Sequence, residues 1–126
     1  MWYCSVSEQS SMSDQYPFVS AHEIGWEVMA HGVKRQVLGH GSDLMVVRVE
    51  FEKDAIGSIH QHPHRQATFV ALGRFFVTVG DEQRELSAGD TFYAESDQPH
   101  GVRALERGTL IDVFTPIRQE FLSPVA

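Results

Sequence analysis

Alternation between two sets of side chains is the strongest constraint on the fold of this chain. Segment 44–51 alternates between two sets of residues. One set is Met45, Val47, Val49 and Phe51, and the other is Val46, Arg48 and Glu50. Because side chains of an extended strand point to opposite faces in turn, this period of two predicts a β-strand with one face toward a core.

The remainder of the chain repeats this pattern in short runs. The runs are separated by Gly or Asp, which favour turns, and no window before the last ten residues has a helical stripe. Segment 118–122 predicts a single helical turn. The predicted strands are residues 33–38, 44–51, 66–72, 75–79, 84–86, 91–94, 100–103 and 109–115. Short strands at this spacing predict an all-β fold, an antiparallel sandwich or jelly-roll barrel.

The length of 126 residues fits one domain with a real core. Residues 1–17 are rich in serine and have no period of two or 3.6, so we expect a flexible N-terminal tail. Residues 18–126 then form the barrel domain. The shares of hydrophobic (42%) and charged (21%) residues are close to those of globular proteins, which excludes a collagenous or wholly disordered chain.

Charge and cysteine content exclude several classes of partner and compartment. The net charge of −7 repels a phosphate backbone, so we expect no nucleic acid partner. A single cysteine, Cys4, cannot form an intrachain disulfide, which excludes a disulfide-stapled secreted scaffold. No signal-peptide pattern is present, and no stretch approaches the ~20 apolar residues of a spanning helix. We therefore expect a cytoplasmic protein with no membrane partner.

Three of the seven histidines form a candidate metal site. In an extended segment His60 and His62 point to the same face, so their imidazoles converge. His100 follows Pro99 at the end of another loop and is a candidate third imidazole. The scattered histidines at 22, 31 and 40 are expected at the surface.

These residues occur in a longer pattern, His60-x-His62-x3-Gln66-x6-Gly73, followed by Gly89-Asp90 and His100. The pattern resembles the two signature motifs of the cupin superfamily. The resemblance implies a double-stranded β-helix barrel. It also implies one divalent transition metal ion, with Ni, Zn, Mn, Fe and Cu left open, and its ligands: His60, His62, Gln66 and His100. His64 is expected to point away from the metal.

The sequence departs from the cupin motifs in their turns. Asp54 and Asp97 stand where glycine is common, Glu95 stands where proline is common, and Ala104 where asparagine is common. None of the four positions is a ligand position. Because Asp tolerates left-handed backbone better than most residues, we expect the turns to form and the metal site to be intact.

A carboxylate interrupts the predicted strand 109–115. Leu110, Asp112 and Phe114 share one of its faces, and a buried carboxylate is costly unless it is paired or functional. Two interpretations stay open at this point. Asp112 either forms a core ion pair with Arg48 or Arg118, or it takes part in chemistry.

The stretch Asp112-x-Phe114-x-Pro116-x-Arg118 resembles a narrower group, the KdgF-type pectin-degradation cupins. That group linearises 4,5-unsaturated uronate monosaccharides to 5-keto-4-deoxyuronate. The resemblance implies a small anionic sugar acid as substrate and catalytic roles for Asp112, Phe114 and Arg118. Arg65 stands where an acidic residue is common in the group, so the rim of the pocket is expected to differ.

Three functions remain open from the sequence. The first is a metal-dependent uronate isomerase that opens the sugar ring. The second is a cupin dioxygenase, and the third is a cupin that binds a metal or a small acid without turnover. A homodimer is also expected, because a barrel of this size leaves edge strands that a partner commonly covers.

Overall fold

The computed structural model describes residues 17–122 of the chain. The predicted tail, residues 1–17, therefore lies outside the described residues except for Pro17, which is exposed. The tail stays a prediction. The structure contains a single chain, so the homodimer stays a prediction as well.

A short 3₁₀ helix, Ala21–Glu23, precedes ten strands and one helical turn. The strands are β1 (Glu27–Ala30), β2 (Val33–His40), β3 (Met45–Phe51), β4 (Ile56–His60), β5 (Arg65–Leu72), β6 (Arg74–Val79), β7 (Glu82–Ser87), β8 (Thr91–Ala94), β9 (His100–Ala104) and β10 (Gly108–Thr115). The helix α1 is Gln119–Leu122.

The strands form two antiparallel sheets. The larger sheet has the order β1-β2-β3-β10-β5-β8, and the smaller has the order β4-β9-β6-β7. The predicted all-β barrel is therefore confirmed. Among residues 17–122, no helix has the length and apolar character needed to cross a membrane.

Each predicted strand is present, but the sequence pattern missed β1 and β4. All four residues of β1 are exposed, and in β4 only Gly57 is partly covered. Both are edge strands, so neither carries the alternating apolar face that the pattern depends on. The helical turn predicted at 118–122 is confirmed by α1.

The two turns in which aspartate replaces the glycine of the cupin motifs form as expected. Asp54 has a φ of 71° and Asp97 a φ of 60°, both in the left-handed region. The Asp97 amide donates a hydrogen bond to the carbonyl oxygen of His62 at 2.7 Å, which ties the second motif to the first. Aspartate thus replaces glycine in both turns.

The interior changes character along neighbouring strands. In the antiparallel register of β10 and β5, Leu110 lies opposite Val70, and both belong to an apolar core that includes Phe75. Two residues further along the same face Asp112 lies opposite Thr68, and Phe114 then lies opposite Gln66. The barrel therefore has an apolar end and a second end, called the polar end below, that holds the candidate site. The polar end combines these polar side chains with a second apolar cluster, Met45, Val47, Phe114 and Ile117.

Candidate metal centre and adjoining cavity

Strand pairing brings the three histidines together. His100 on β9 is the direct register partner of His60 on β4, and His62 lies in the loop that leads from β4 to β5. The ring centroids of His60 and His100 are 4.5 Å apart, and those of His62 and His100 are 4.9 Å apart. One nitrogen of each ring lies within 4.8 Å of the others, which is a metal-ligating arrangement. His62 and His100 are buried, whereas His60 lies at the exposed mouth.

Backbone carbonyls orient all three rings. The Nδ1 atoms of His60, His62 and His100 lie 2.8, 2.9 and 2.8 Å from the carbonyl oxygens of Ser58, His64 and Gln98. A carbonyl only accepts, so each ring carries its proton on Nδ1 and leaves the Nε2 lone pair for a ligand. This arrangement of outer hydrogen bonds is typical of histidine ligands.

Gln66 places a fourth candidate ligand atom beside the three imidazoles. Its Oε1 lies 3.1 Å from Nε2 of both His62 and His100. Its amide group donates instead to Thr68 Oγ1 at 2.9 Å and to Asp112 Oδ1 at 3.2 Å, which sets the direction of the side chain.

The spacing of these atoms fits a cation. With the protons on Nδ1, Oε1 and the two Nε2 atoms are all acceptors, and acceptors 3.1 Å apart are placed to share one cation. Adjacent ligands at about 2.1 Å from one ion lie about 3.0 Å apart when their bonds are perpendicular. Imidazole ligands suit Zn, Cu, Fe or Ni, and an amide oxygen also suits Mn.

The buried imidazoles are held neutral. Burial is the largest cause that lowers the pKa of His62, and the charge of Arg118 lowers it further. Burial also lowers the pKa of His100. Because only neutral imidazole binds a metal, both shifts favour metal binding.

The other histidines lie outside the three-histidine group. His22 and His31 are exposed, as expected, whereas His40 is half-buried and its Nδ1 has no hydrogen bond. The ring of His64 is 5.5 Å from that of His62, and its nitrogens do not join the group.

Asp112 sits beside this group without a cationic partner. Its Oδ1 accepts a hydrogen bond of 2.6 Å from Thr68 Oγ1 and the bond from Gln66, whereas no residue between 17 and 122 hydrogen-bonds Oδ2. Burial raises the pKa of the carboxyl to about 6. Arg48 and Arg118 bond instead to Gln36 and Glu120, so the core ion pair is not formed.

Phe114 and Arg118 complete the residues predicted from the sequence. The Phe114 ring lies 5.7 Å from the His62 ring at an interplanar angle of 76°. The Nε of Arg118 donates to Glu120 at 2.7 Å, and its guanidinium carbon lies 4.4 Å from the centroid of the Phe121 ring. Arg118 is therefore held at one edge and on one face, and its terminal nitrogens stay available.

A cavity of about 450 Å³ connects these groups, within the ~300–1,000 Å³ that is usual for small-molecule sites. Five of the seven residues predicted from the sequence line it, namely His60, Gln66, Asp112, Phe114 and Arg118. His62 and His100 lie behind them.

Sequence reasoning missed three residues at the site: Thr68, Arg35 and Phe121. Two of them left a signal. Thr68 follows Gln66 at a spacing of two, and Arg35 interrupts the apolar alternation between Val33 and Val37.

Comparisons with known proteins show the family to which the chain belongs. Residues 47–114 match the Cupin domain family. The chain is 44% identical over 102 residues to the pectin degradation protein KdgF of Dickeya dadantii (strain 3937), covering 79% of this chain and 93% of that protein. The solved structure of KdgF from Halomonas sp. is 38% identical with a TM-score of 0.81, over 85% of this chain and 99% of that one.

A solved RmlC-like cupin from Shewanella frigidimarina NCIMB 400 is 36% identical, with a TM-score of 0.82 over 85% of this chain and 96% of that one. The family match covers more than half of the chain, and the KdgF relatives are covered almost completely. The chain therefore belongs to the cupin family, and KdgF proteins are among the members to which it is similar.

Proposed function

We propose that this protein is a metal-dependent isomerase that opens the ring of 4,5-unsaturated uronate monosaccharides to give 5-keto-4-deoxyuronate. One observation carries the proposal. Asp112, one of whose carboxylate oxygens has no hydrogen bond to any residue between 17 and 122, shares a cavity with Arg118 and with His60, one of three histidines suited to a metal. The similarity to proteins named for pectin degradation supports a substrate from polyuronate breakdown.

The reaction is an isomerisation and needs no co-reactant. The hydroxyl group on C1 loses its proton, and the bond between C1 and the ring oxygen breaks, leaving an aldehyde. The ring oxygen becomes the keto oxygen on C5, and C4 gains a proton as the double bond is lost. One proton is removed and one is added, so a single residue that accepts and returns protons is sufficient.

Asp112 is the residue that we assign to proton transfer. Its Oδ1 is held by Thr68 and Gln66, so that Oδ2 has a defined position at the cavity. A carboxylate held in this way is positioned to take the hydroxyl proton and to return it to carbon.

Arg118 and Phe114 bind and shield the substrate. The terminal nitrogens of Arg118 are positioned to bind the sugar carboxylate in a bidentate manner. Phe114, only 3% exposed, forms an apolar wall that limits access of water to the reacting carbon.

His60, His62, Gln66 and His100 would hold the metal. When bound, the ion acts as a Lewis acid on substrate oxygens, and the neutral Gln66 leaves its full positive charge available. The four side chains supply the ligand atoms. Their contribution is a rigid ligand set whose outer hydrogen bonds are made by the backbone and by Thr68.

The experiment follows the ultraviolet absorbance of the substrate's conjugated double bond. Metal-loaded protein is added to freshly generated unsaturated galacturonate, and to the unsaturated product of mannuronate or guluronate lyases. We expect decay faster than the uncatalysed opening, which is subtracted. Decay at the background rate with both substrates would refute the isomerase and favour a cupin that binds without turnover.

A further inference from the structure

A second arginine, Arg35, lies in the same cavity and has no role in the proposed reaction so far. It lies on the face of β2 that points into the barrel, in register with Val49 on β3. Only 9% of the residue is exposed. Two strand spacings, about 10 Å, separate β2 from the strand of Asp112 in the same sheet, so Arg35 and Asp112 line different parts of the cavity.

The guanidinium of Arg35 is fixed at one edge and on one face. Its Nε and Nη2 each lie 3.1 Å from Oε1 of Glu27 on the edge strand β1. Its central carbon lies 3.5 Å from the centroid of the Phe121 ring. No group within residues 17–122 accepts a hydrogen bond from Nη1, so two N–H donors are left for a ligand.

Arg118 is held in the same way. Each arginine has a glutamate at its Nε edge, Glu27 for Arg35 and Glu120 for Arg118, and both stack on the ring of Phe121. Both arginines therefore contact Phe121 and line the same cavity. Two cations that line one cavity and have free N–H donors attract an anion into it.

Glu27 alone does not account for the burial of Arg35. The side chain of Glu27 is 57% exposed, whereas that of Arg35 is 10% exposed. A carboxylate so well solvated offsets little of the cost of burying a guanidinium. A second anion on the cavity side of Arg35 would offset the rest of the cost of burying its guanidinium.

From this geometry we infer that Arg35 binds the carboxylate of the acidic sugar together with Arg118 and so selects acidic over neutral sugars. The inference rests on the proposed function for the class of ligand but not for turnover. Arg35 is a specificity-determining residue here and takes no part in proton transfer.

The test measures equilibrium binding of galacturonate to the metal-loaded protein by calorimetry, with galactose as the neutral probe. Arg35→Met keeps an unbranched chain against Phe121 but removes the donors and the charge. We expect its affinity for galacturonate to fall by about 10-fold or more, because it loses hydrogen bonds to a charged group, with no change for galactose. Arg35→Lys keeps the charge without the planar fork and is expected to lose about 3-fold.

Lys34→Met is the matched control. It removes the same charge from the neighbouring residue of β2, whose side chain pairs with Glu50 and does not line this cavity. We expect a change of less than about 2-fold. Circular dichroism checks that each variant is folded, and if Arg35→Met does not fold, Arg35→Lys alone is compared with the control.

Affinities of the Arg35 variants within 2-fold of the control would overturn the inference, as would a wild type that binds galacturonate no better than galactose. Turnover separates this result from the proposed function. Selective binding without ring opening refutes only the isomerase. Ring opening with a KM that is unchanged in Arg35→Met refutes only the role of Arg35.

Discussion

The two ends of the barrel interior are built by the same strands and differ in chemistry. On β5 the inward side chains run from Val70 through Thr68 to Gln66, and on β10 Leu110 is followed by Asp112. At the Val70 end the side chains pack against Phe75 in an apolar core. At the Gln66 end they form a chain of hydrogen bonds beside three imidazoles.

This difference separates stability from function within one fold. Burial of apolar side chains is favourable wherever they pack, so the apolar end stabilises the barrel. Burial of polar side chains is unfavourable unless they find partners, so the polar end depends on a specific set of hydrogen bonds. Mutations at the apolar end should therefore lower the free energy of unfolding and leave activity unchanged. Mutations at the polar end should lower activity or metal binding and leave the fold unchanged.

The largest effect is expected from removal of two ligands. His60→Ala combined with His62→Ala leaves one imidazole and one amide oxygen, too few to hold a divalent ion. We expect loss of bound metal, measured by elemental analysis, and loss of ring-opening activity. His64→Ala is the control, since His64 lies outside the three-histidine group, and it should keep its metal. Full metal occupancy in the double variant would refute the ligand assignment.

Asp112→Asn tests the polar end without removing the metal. The amide is close to isosteric and still accepts from Thr68, but it cannot carry the proton, so we expect a rate about 10²–10⁴-fold lower. Metal content and fold should be unchanged. A variant that instead loses several kcal/mol of stability, with activity proportional to the folded fraction, would indicate a structural role for the carboxylate.

Leu110→Ala tests the apolar end, two residues away on the same strand. Leu110 is 3% exposed and packs in the apolar core, so its truncation leaves a cavity and should lower the free energy of unfolding by about 2–5 kcal/mol. Urea denaturation measures this loss. The folded fraction should keep its metal and its turnover, and a matching fall in kcat would show that the two ends are coupled.

The smallest effect concerns pH. In the metal-free protein the pKa of Asp112 is raised by burial from 3.8 to about 6, so the folded state holds this proton more tightly than the unfolded state. The contribution of this proton to the free energy of unfolding is present below about pH 4 and is lost as the pH rises through about 6.

Relative to Asp112→Asn, wild type should lose about 1–3 kcal/mol of unfolding free energy between these values, the lower figure reflecting partial exposure of the residue. Urea denaturation in chelator at several pH values measures the difference. Bound metal should reduce it, because the ion favours the carboxylate. A difference that does not vary with pH would mean that Asp112 is solvated.

The period of two in the sequence was enough to predict most of the strands. Strands with an inward apolar face, such as β3, were predictable, because their alternation reflects burial on one side. The edge strands β1 and β4 were not, since their residues are largely exposed and their pairing depends on neighbours distant in the chain. The turns at Asp54 and Asp97 were predictable from the resemblance to the cupin motifs, which commonly have glycine there, together with the tolerance of aspartate for left-handed backbone.

The sequence by itself determined which chemical groups are available to the site. Its spacing aligns His60 with His62, and its motif resemblance points to Gln66, His100, Asp112 and Arg118. These follow from residues close together in the chain or from a pattern shared with a family.

Only the tertiary structure decided which atoms meet. The register of β9 on β4 sets His100 beside His60. The pairing of β5 with β10 places Asp112 where Thr68 and Gln66, and no arginine, donate hydrogen bonds to it. Arg35 and Arg118 are 83 positions apart and meet on Phe121 because α1 packs against β2. Contacts between distant segments depend on how whole sheets close into a barrel, and no local pattern of residues carries that information.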